Sequence, residues 1–192
     1  MPLSDPQPRE LFHTRNIRMR GFRRADGLWD IEGHLVDTKT YDYVNTWSGP
    51  RYKGHPIHEM HIRLTVDDEM VVQDVEAATD HSPFPICGGG NDNFKRLRGV
   101  KIAAGWNRKV RELLGGPLAC THIREMLGPL GTVAYQTIRS YLRDVLSEDP
   151  DRFREGTRQA KVNSCWAYAS DNEVVRDRMP EYYTGSRPAA GP

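Results

Sequence analysis

The spacing of apolar and polar positions along the chain changes once, near residue 94. Before this point apolar and polar residues alternate, which is typical of strands with one buried face. After it, apolar residues recur at steps of three and four, which is typical of amphipathic helices. Strands followed by helices predict an α+β protein: an antiparallel meander of about four strands, then three helices and an extended C-terminal arm.

The alternating part contains two predicted hairpins. Their strands cover about 15–24, 28–37, 56–66 and 70–79. Residues 25–27 and 67–69 have the Gly and Asp chemistry of turns and join these strands in pairs. The stretch 38–55 between the hairpins contains several aromatic residues and is predicted to be a long loop, a kind of segment that often carries function.

Three helices are predicted after the strands, at about 94–100, 106–114 and 121–146. Thr121 is the expected N-cap of the longest helix, because its hydroxyl can accept a backbone N–H. Gly128-Pro129 lies inside this helix and predicts a kink or a short break, since proline cannot donate to the preceding turn.

The length of the chain sets the expected domain organisation. The chain has 192 residues, and an average domain has about 150. The difference is enough for a tail but too small for a second domain. We expect a flexible N-terminal segment at 1–13, a single α+β domain at 14–146, and a charged connection with a C-terminal arm and a loose end at 147–192.

Charge, hydropathy and cysteine content narrow the classes of function. Lys and Arg number 27 against 26 for Asp and Glu, so the net charge of +1 provides no general attraction for nucleic acid or for an anionic membrane. No apolar run approaches the roughly 18 residues of a membrane-spanning helix. The three cysteines are far apart and the N-terminus lacks an apolar signal segment, so we expect reduced thiols in a cytoplasmic protein.

The second predicted strand and its exit form the first candidate site. Its polar residues are Asp30, Glu32 and His34 along the strand, then Asp37, Thr38 and Lys39 at the exit. The strand residues are expected to face water. Asp37 and Lys39 are better placed for function, because a lysine can keep a carboxylate ionised or stabilise a phenolate.

A group of histidines, His55, His58 and His61, begins the third predicted strand. Successive strand residues point to opposite faces, so His58 and His61 are expected on different sides of the sheet and do not predict a three-histidine metal site. His61, between Glu59 and Arg63, is a candidate acid–base group; the alternative is a solvated polar face.

Two cysteines and a histidine make the third candidate site. Cys87 follows the last predicted strand, and Cys120 and His122 flank the start of the longest helix. Helix N-termini stabilise thiolates and disfavour protonation of a nearby imidazole, so His122 is expected to be neutral near pH 7 and the most important histidine. With Asp37 these residues could hold Zn or Fe, with Cys165 as a spare ligand. The alternative is that the cysteines pack as small hydrophobic residues and that His122 is structural.

Four stretches of the sequence resemble a known bacterial family, catalogued as domain of unknown function 2889. They are GFRRADGLWDIEGHLVDTKTYDY, PIHEMHIRLTVD, VEAATDHSPFPIC and GPLACTHIREMLGPLGTVAYQT, within about residues 13–145. The family's name assigns no activity, but members similar to this chain tend to come from bacteria that degrade lignin-derived aromatic compounds. The resemblance therefore implies a role in aromatic metabolism.

The order of elements is also similar to that of iron–sulfur scaffold proteins of the NifU/IscU type. Those proteins carry an Asp and a Cys in the loop after the first scaffold strand. Asp37 matches the first of these, but no cysteine stands there in this chain.

Two hypotheses of different classes follow. The first is an enzyme, a cofactor-independent carbon–carbon lyase that deformylates or decarboxylates a small phenolic substrate. In it, His122 or Asp37 is the base, Lys39 the cation and His61 a further acid–base group. The aromatic wall of its pocket would consist of Tyr41, Tyr43 and Trp47.

The second hypothesis is a scaffold or carrier in which Cys87, Cys120 and His122 bind Zn or an iron–sulfur species. A non-catalytic subunit is a further alternative. Neither hypothesis involves nucleic acid or a membrane, and the chain is a candidate homo-oligomer.

Overall fold

The alternating half of the chain folds into a four-stranded antiparallel sheet. A computed structural model describes residues 3–148, 158–159 and 161–186. Its strands are β1 (His13–Arg23), β2 (Trp29–Lys39), β3 (Tyr43–Asn45), β4 (Gly49–Arg51), β5 (Pro56–Val66) and β6 (Val72–His81). The sheet has the order β1-β2-β5-β6 with antiparallel neighbours, and each of its strands lies within two residues of the predicted bounds. The predicted α+β fold is confirmed.

The stretch 38–55 differs from the predicted loop, because it contains the two-stranded hairpin β3–β4. The Asn45 side chain accepts hydrogen bonds from the backbone N–H groups of Trp47 and Ser48, at 2.8 and 2.9 Å. Gly49 follows with a φ of +76°, a conformation that glycine adopts without strain. This turn chemistry closes the hairpin.

The sheet has one covered face and one open face. The core includes alternate residues of the central strands, namely Trp29, Ile31, Leu35, Met60, Ile62 and Leu64. Their neighbours in sequence point to the open face and are mostly charged or histidine. This alternation is what a sheet with helices on one side requires.

The helical half begins with a 3₁₀ segment at Pro85–Leu97, followed by α1 (Trp106–Leu114) and α2 (Thr121–Ala134). The first predicted α-helix is therefore wrong in type. Its residues end a longer 3₁₀ segment whose Gly-rich start, at 88–90, has low α-helix propensity.

Helix α2 packs across β1, β2 and β5. Gly33 permits this approach, because a Cβ atom there would lie 3.2 Å from the Met126 sulfur. The predicted N-cap is wrong, because Cys120 rather than Thr121 occupies that position. Of the kink or short break predicted at Gly128-Pro129, the break is absent, since α2 continues through Pro129 until a π-helical segment begins at Tyr135. Burial of the flanking residues, among them Leu127 and Leu130, holds the helix against the sheet at this point.

The chain divides into two units, Met1–Arg139 and Ser140–Pro192. The second unit contains a π-helical turn at Leu142–Leu146, 3₁₀ turns at Trp166–Tyr168 and Pro180–Tyr182, and α3 (Glu173–Arg178). The segment predicted as an extended arm therefore carries short helical turns. Most of the predicted charged connection and the end of the chain lie outside the described residues. Within the described part of the chain, no helix is both long and apolar enough to cross a bilayer.

Candidate functional site

Asp37 is the most deeply buried carboxylate of the described structure, with 1% of its side chain exposed. It lies near the end of β2 on the helix-covered face, in phase with Ile31 and Leu35. It therefore faces away from His34, with which the sequence grouped it. A carboxylate at such a position must be hydrogen-bonded, because desolvating an unpaired charge is expensive.

The neighbouring strands supply the partners of Asp37. Arg15 of β1 lies directly opposite and donates from Nε and Nη2 to the two carboxylate oxygens, both at 2.8 Å. His58 of β5 lies opposite on the other side, with Nδ1 2.9 Å from Asp37 Oδ2. His13 Nε2 is 3.3 Å from Oδ1. The strand register thus places three basic side chains around one buried acid.

Asp37 remains ionised in this environment. Burial alone would raise the pKa of its carboxyl group, but the hydrogen bonds from Arg15 and His58 and the charge of Arg15 outweigh burial. The net effect lowers the pKa of Asp37 below its usual value. The same contact raises the pKa of Arg15.

His122 completes the group from the first turn of α2. Its ring lies on the His58 ring, with centroids 4.0 Å apart and planes tilted by 32°. Burial, followed by the nearby positive charges of His58 and Arg15, lowers the pKa of His122 below 6.5. His122 is therefore neutral near pH 7, as the sequence predicted, although burial rather than the helix dipole is the largest cause.

These three residues, Asp37, His58 and His122, are called here the helix-side cluster. Asp37 accepts a hydrogen bond from His58 Nδ1, which fixes the orientation of the His58 ring. Cys120 Sγ is 3.8 Å from His122 Nδ1 and adds a polarisable group at the helix N-terminus. A neutral imidazole beside an Asp–His pair can accept and return a proton.

An aromatic group adjoins the helix-side cluster. Lys39 Nζ lies over the rings of Tyr43 and Tyr41, at 4.3 and 5.0 Å from their centroids, and Phe12 packs edge-on against Tyr41. Lys39 is paired across β1 with His13, which contacts Asp37. Three residues predicted for substrate binding or charge stabilisation therefore lie together. Trp47 is 72% exposed and contacts Phe84.

Other predicted site residues lie elsewhere. His61 is on the open face, stacked on His34 at 4.2 Å, and so faces away from Asp37 and His122. Among the described residues, two groups of three have donor atoms all within 4.8 Å of one another, and Cys87 belongs to neither of them. Cys165 is an exposed residue of the second unit. Of the predicted ligands, the structure brings His122 close to both Asp37 and Cys120.

Sequence reasoning did not select His58 and Arg15 for the site. The alternation had already separated His58 from His61, and the structure agrees. The missing information was the register between β2 and β5, which sets Asp37 opposite His58 across the inserted β3–β4 hairpin. Arg15 is one of five arginines within residues 15–24, and only the pairing of β1 with β2 places it directly opposite Asp37.

The fold and the helix-side cluster define an α+β domain with two histidines and a buried carboxylate at one end of an antiparallel sheet. A family model described as "Protein of unknown function (DUF2889)" matches residues 13–136, so the chain belongs to this family. The resemblance predicted from the four sequence stretches is confirmed. No curated protein and no solved structure matches the chain, and the likeness to NifU-type scaffolds gains no support.

Proposed function

We propose that this chain is a small cytoplasmic enzyme of aromatic-compound catabolism, a carbon–carbon lyase that acts without a cofactor. Its reaction is the loss of formaldehyde or carbon dioxide from a phenolic substrate. The observation that carries the proposal is the contact of the ionised, buried Asp37 with His58, whose ring stacks on the neutral His122. Such an arrangement supplies a base that can return the proton it takes.

The proton balance closes within the helix-side cluster. In deformylation, His122 takes the hydroxyl proton of a hydroxymethyl group, the bond from that group to the next carbon breaks, and formaldehyde leaves. The electron pair stays on the carbon, where the aromatic ring delocalises it, and the proton from His122 completes the new C–H bond. The negative charge of Asp37, which favours the protonated form of His122, stabilises the transient imidazolium, and Asp37 also holds the His58 ring beside it.

Decarboxylation uses the same groups. His122 takes the phenol proton and delivers it to the carbon that loses carbon dioxide, so the product forms as a phenolate. Neither reaction needs an oxidant or a reductant.

The aromatic group supports a phenolic substrate. Lys39 provides a positive charge that would stabilise a phenolate, and the rings of Phe12, Tyr41 and Tyr43 provide apolar surface for an aromatic ligand. Unpaired thiols at Cys87, Cys120 and Cys165 fit a reducing compartment such as the cytoplasm.

A metal-binding scaffold is the second candidate. It is favoured by the helix-side cluster itself, because Asp37, His58 and His122 each offer a donor atom within 4.8 Å of the others, a set that Zn²⁺ and Fe²⁺ accept. It is opposed by Arg15, whose guanidinium bonds both oxygens of Asp37 and would repel a bound cation.

The experiment is a product-release assay on metal-stripped full-length protein. A panel of 4-hydroxyphenyl compounds with hydroxymethyl or carboxylate side chains is screened for formaldehyde and carbon dioxide. We expect release from at least one compound, reduced by about 10²-fold or more in His122→Gln and His58→Gln, and retained in the matched control His55→Gln, at an exposed loop histidine. Equal activity in all three variants, or no release from any compound, would overturn the proposal. Activity that returns only with added Zn²⁺ would favour the second candidate.

A further inference from the structure

The open face of the sheet carries a second group of two histidines and a carboxylate. His34 of β2 and His61 of β5 are directly opposite in the register, and their rings stack in parallel, 4.2 Å apart with an angle of 7°. Glu59 is two residues before His61 and therefore on the same face. We call His34, Glu59 and His61 the open-face cluster.

The donor atoms of this cluster lie near one another, and the stacked His34 and His61 rings have to rotate before both lone pairs can point at one ion. One donor atom from each residue lies within 4.8 Å of the other two, and His34 Nε2 is 3.1 Å from Glu59 Oε1. Ligands about 2.0–2.1 Å from a shared ion in a tetrahedral site are about 3.3 Å apart. The side chains are 25%, 25% and 41% exposed, so they can close this gap without disturbing the core.

Two further side chains orient the ligands. His61 Nε2 is 3.0 Å from Asp80 Oδ2, which leaves Nδ1 of His61 as the nitrogen with a free lone pair when Nε2 donates. His81 Nε2 is 3.6 Å from Glu59 Oε2, the oxygen that does not face His34. Carboxylates behind ligating imidazoles, and partners behind ligating carboxylates, are the usual outer contacts of protein metal sites.

The charges around the open-face cluster also permit a cation. Arg63, the nearest central-strand arginine, is engaged by Glu32 and Glu76 at 3.0 and 2.6 Å. No guanidinium bonds Glu59 among the described residues, in contrast to the arginine on Asp37. A cavity of about 430 Å³ on this face is lined by His34 and His61 and by three arginines, Arg18, Arg20 and Arg63. Arg20 is also engaged by Glu32, at 3.2 Å, and the cavity gives room for water or an anion on a bound ion.

We infer that the open-face cluster binds one divalent transition-metal ion of the Zn²⁺ class, with His34, Glu59 and His61 as its protein ligands. Two imidazoles and one carboxylate suit Zn²⁺ and its neighbours and do not suit Mg²⁺ or Ca²⁺, which prefer oxygen ligands. Three protein ligands leave a coordination position open toward the cavity, the arrangement of a reactive rather than a structural zinc site. This site is separate from the proposed lyase site.

The test is calorimetric titration of ZnCl₂ into metal-stripped, reduced full-length protein. We expect about one equivalent of bound Zn²⁺ per chain, and affinity at least about tenfold weaker in each of His34→Gln, His61→Gln and Glu59→Gln. His55→Gln, at an exposed loop histidine, is the matched control and should bind as the wild type does. His58→Gln reports whether the helix-side cluster binds the ion instead. Thermal unfolding of each metal-free variant checks its fold. Because Glu59→Gln keeps the size of the side chain, it still tests the site if a histidine variant does not fold.

The outcomes separate the competing sites. Affinity that falls in His58→Gln but not in His34→Gln would overturn the inference and assign the metal to the helix-side cluster. Binding that is unchanged in all histidine variants, or absence of binding by the wild type, would also overturn the inference. Loss confined to the open-face variants supports it, whatever the outcome of the lyase assay.

Discussion

The two faces of the β2–β5 strand pair carry the same residue types and offer different chemistry. On the covered face, Asp37, His58 and His122 form a cluster whose carboxylate is 1% exposed and bonded by Arg15. On the open face, Glu59 is 25% exposed and contacts His34 and His81. We propose that the partner beside the histidine, a guanidinium on Asp37 and a second imidazole on Glu59, decides between acid–base chemistry and cation binding.

The physical reason is the local dielectric. A positive charge about 3–4 Å from a bound cation costs far more in a buried site than on a surface, where water and salt screen it. Arg15 therefore lowers the pKa of Asp37, and we expect the same guanidinium charge to disfavour a cation bound there. On the open face, solvent screening and side-chain freedom are expected to weaken both the stabilisation of the carboxylate charge and the repulsion of a cation.

Replacing the carboxylate of each cluster should give the largest difference between the two faces, measured as the loss in the free energy of unfolding. Asp37→Asn leaves Arg15 and His58 without their charged partner in a buried position, and we expect a loss of about 3 kcal/mol in the free energy of unfolding, near the lower limit for breaking a buried ion pair. Glu59→Gln on the open face should cost less than about 1 kcal/mol. Urea unfolding at pH 7.5 with a chelator present measures both. Equal costs would contradict the distinction.

Replacing one histidine on each face tests which cluster carries the lyase reaction. His122→Gln should lower formaldehyde or carbon dioxide release by about 10²-fold, because it removes the neutral base while keeping a similar volume. His61→Gln should leave release unchanged, since His61 faces away from the helix-side cluster. A larger loss in His61→Gln than in His122→Gln would move the reaction to the open face.

Removing the guanidinium should make the helix-side cluster resemble the open-face one. Arg15→Met is expected to add a second equivalent of bound Zn²⁺, held by Asp37, His58 and His122 with at least about tenfold higher affinity than in the wild type. Arg18→Met, at an open-face arginine opposite His34, is the matched control and should leave the stoichiometry at one. The number of Zn²⁺ equivalents bound per chain, measured by calorimetry, shows whether the arginine excludes the ion. Unchanged stoichiometry in Arg15→Met would show that the arginine does not exclude the metal.

The smallest expected effect is a pH dependence of stability. The folded protein lowers the pKa of His122, so its contribution to stability is fully present above the unfolded value of about 6.5 and is lost as pH falls through the lowered value. Each unit of this pKa difference is worth about 1.4 kcal/mol. Urea unfolding at pH 7.5 and 5.5 should therefore show a larger decrease for the wild type than for His122→Gln. The same decrease in both proteins would show that His122 is not held neutral by the fold.

Much of the fold is readable from the sequence because its strands are amphipathic. The alternation around Ile31 and Leu35 and the turns at Gly27 and at 67–69 are local signals, and they predict the sheet and its pairing order. The 3₁₀ segment at Pro85–Leu97 and the unbroken helix through Pro129 were not predictable in this way. Both depend on packing against the rest of the domain rather than on local propensity.

The candidate site was predictable only in part, because some of its residues are brought together by long-range packing rather than by local sequence. Asp37 and His122 stand out because each is a functional group at the end of an element, and Lys39 follows from its position next to Asp37. His58 and Arg15 join them through cross-strand register, which a one-residue shift would reverse. The open-face cluster depends on the same register, and no local signal announces it.

The most direct test of the difference between the two faces is an NMR titration of the imidazole ring nitrogens of all seven histidines, with pH and then with Zn²⁺. We predict that the pKa of His122 lies below its usual value of 6.5, and that Zn²⁺ at pH 7.5 shifts the resonances of His34 and His61 while leaving those of His58 and His122 in place. A protonated His122 at pH 6.5, or Zn²⁺-induced shifts at His58 and His122, would contradict the account.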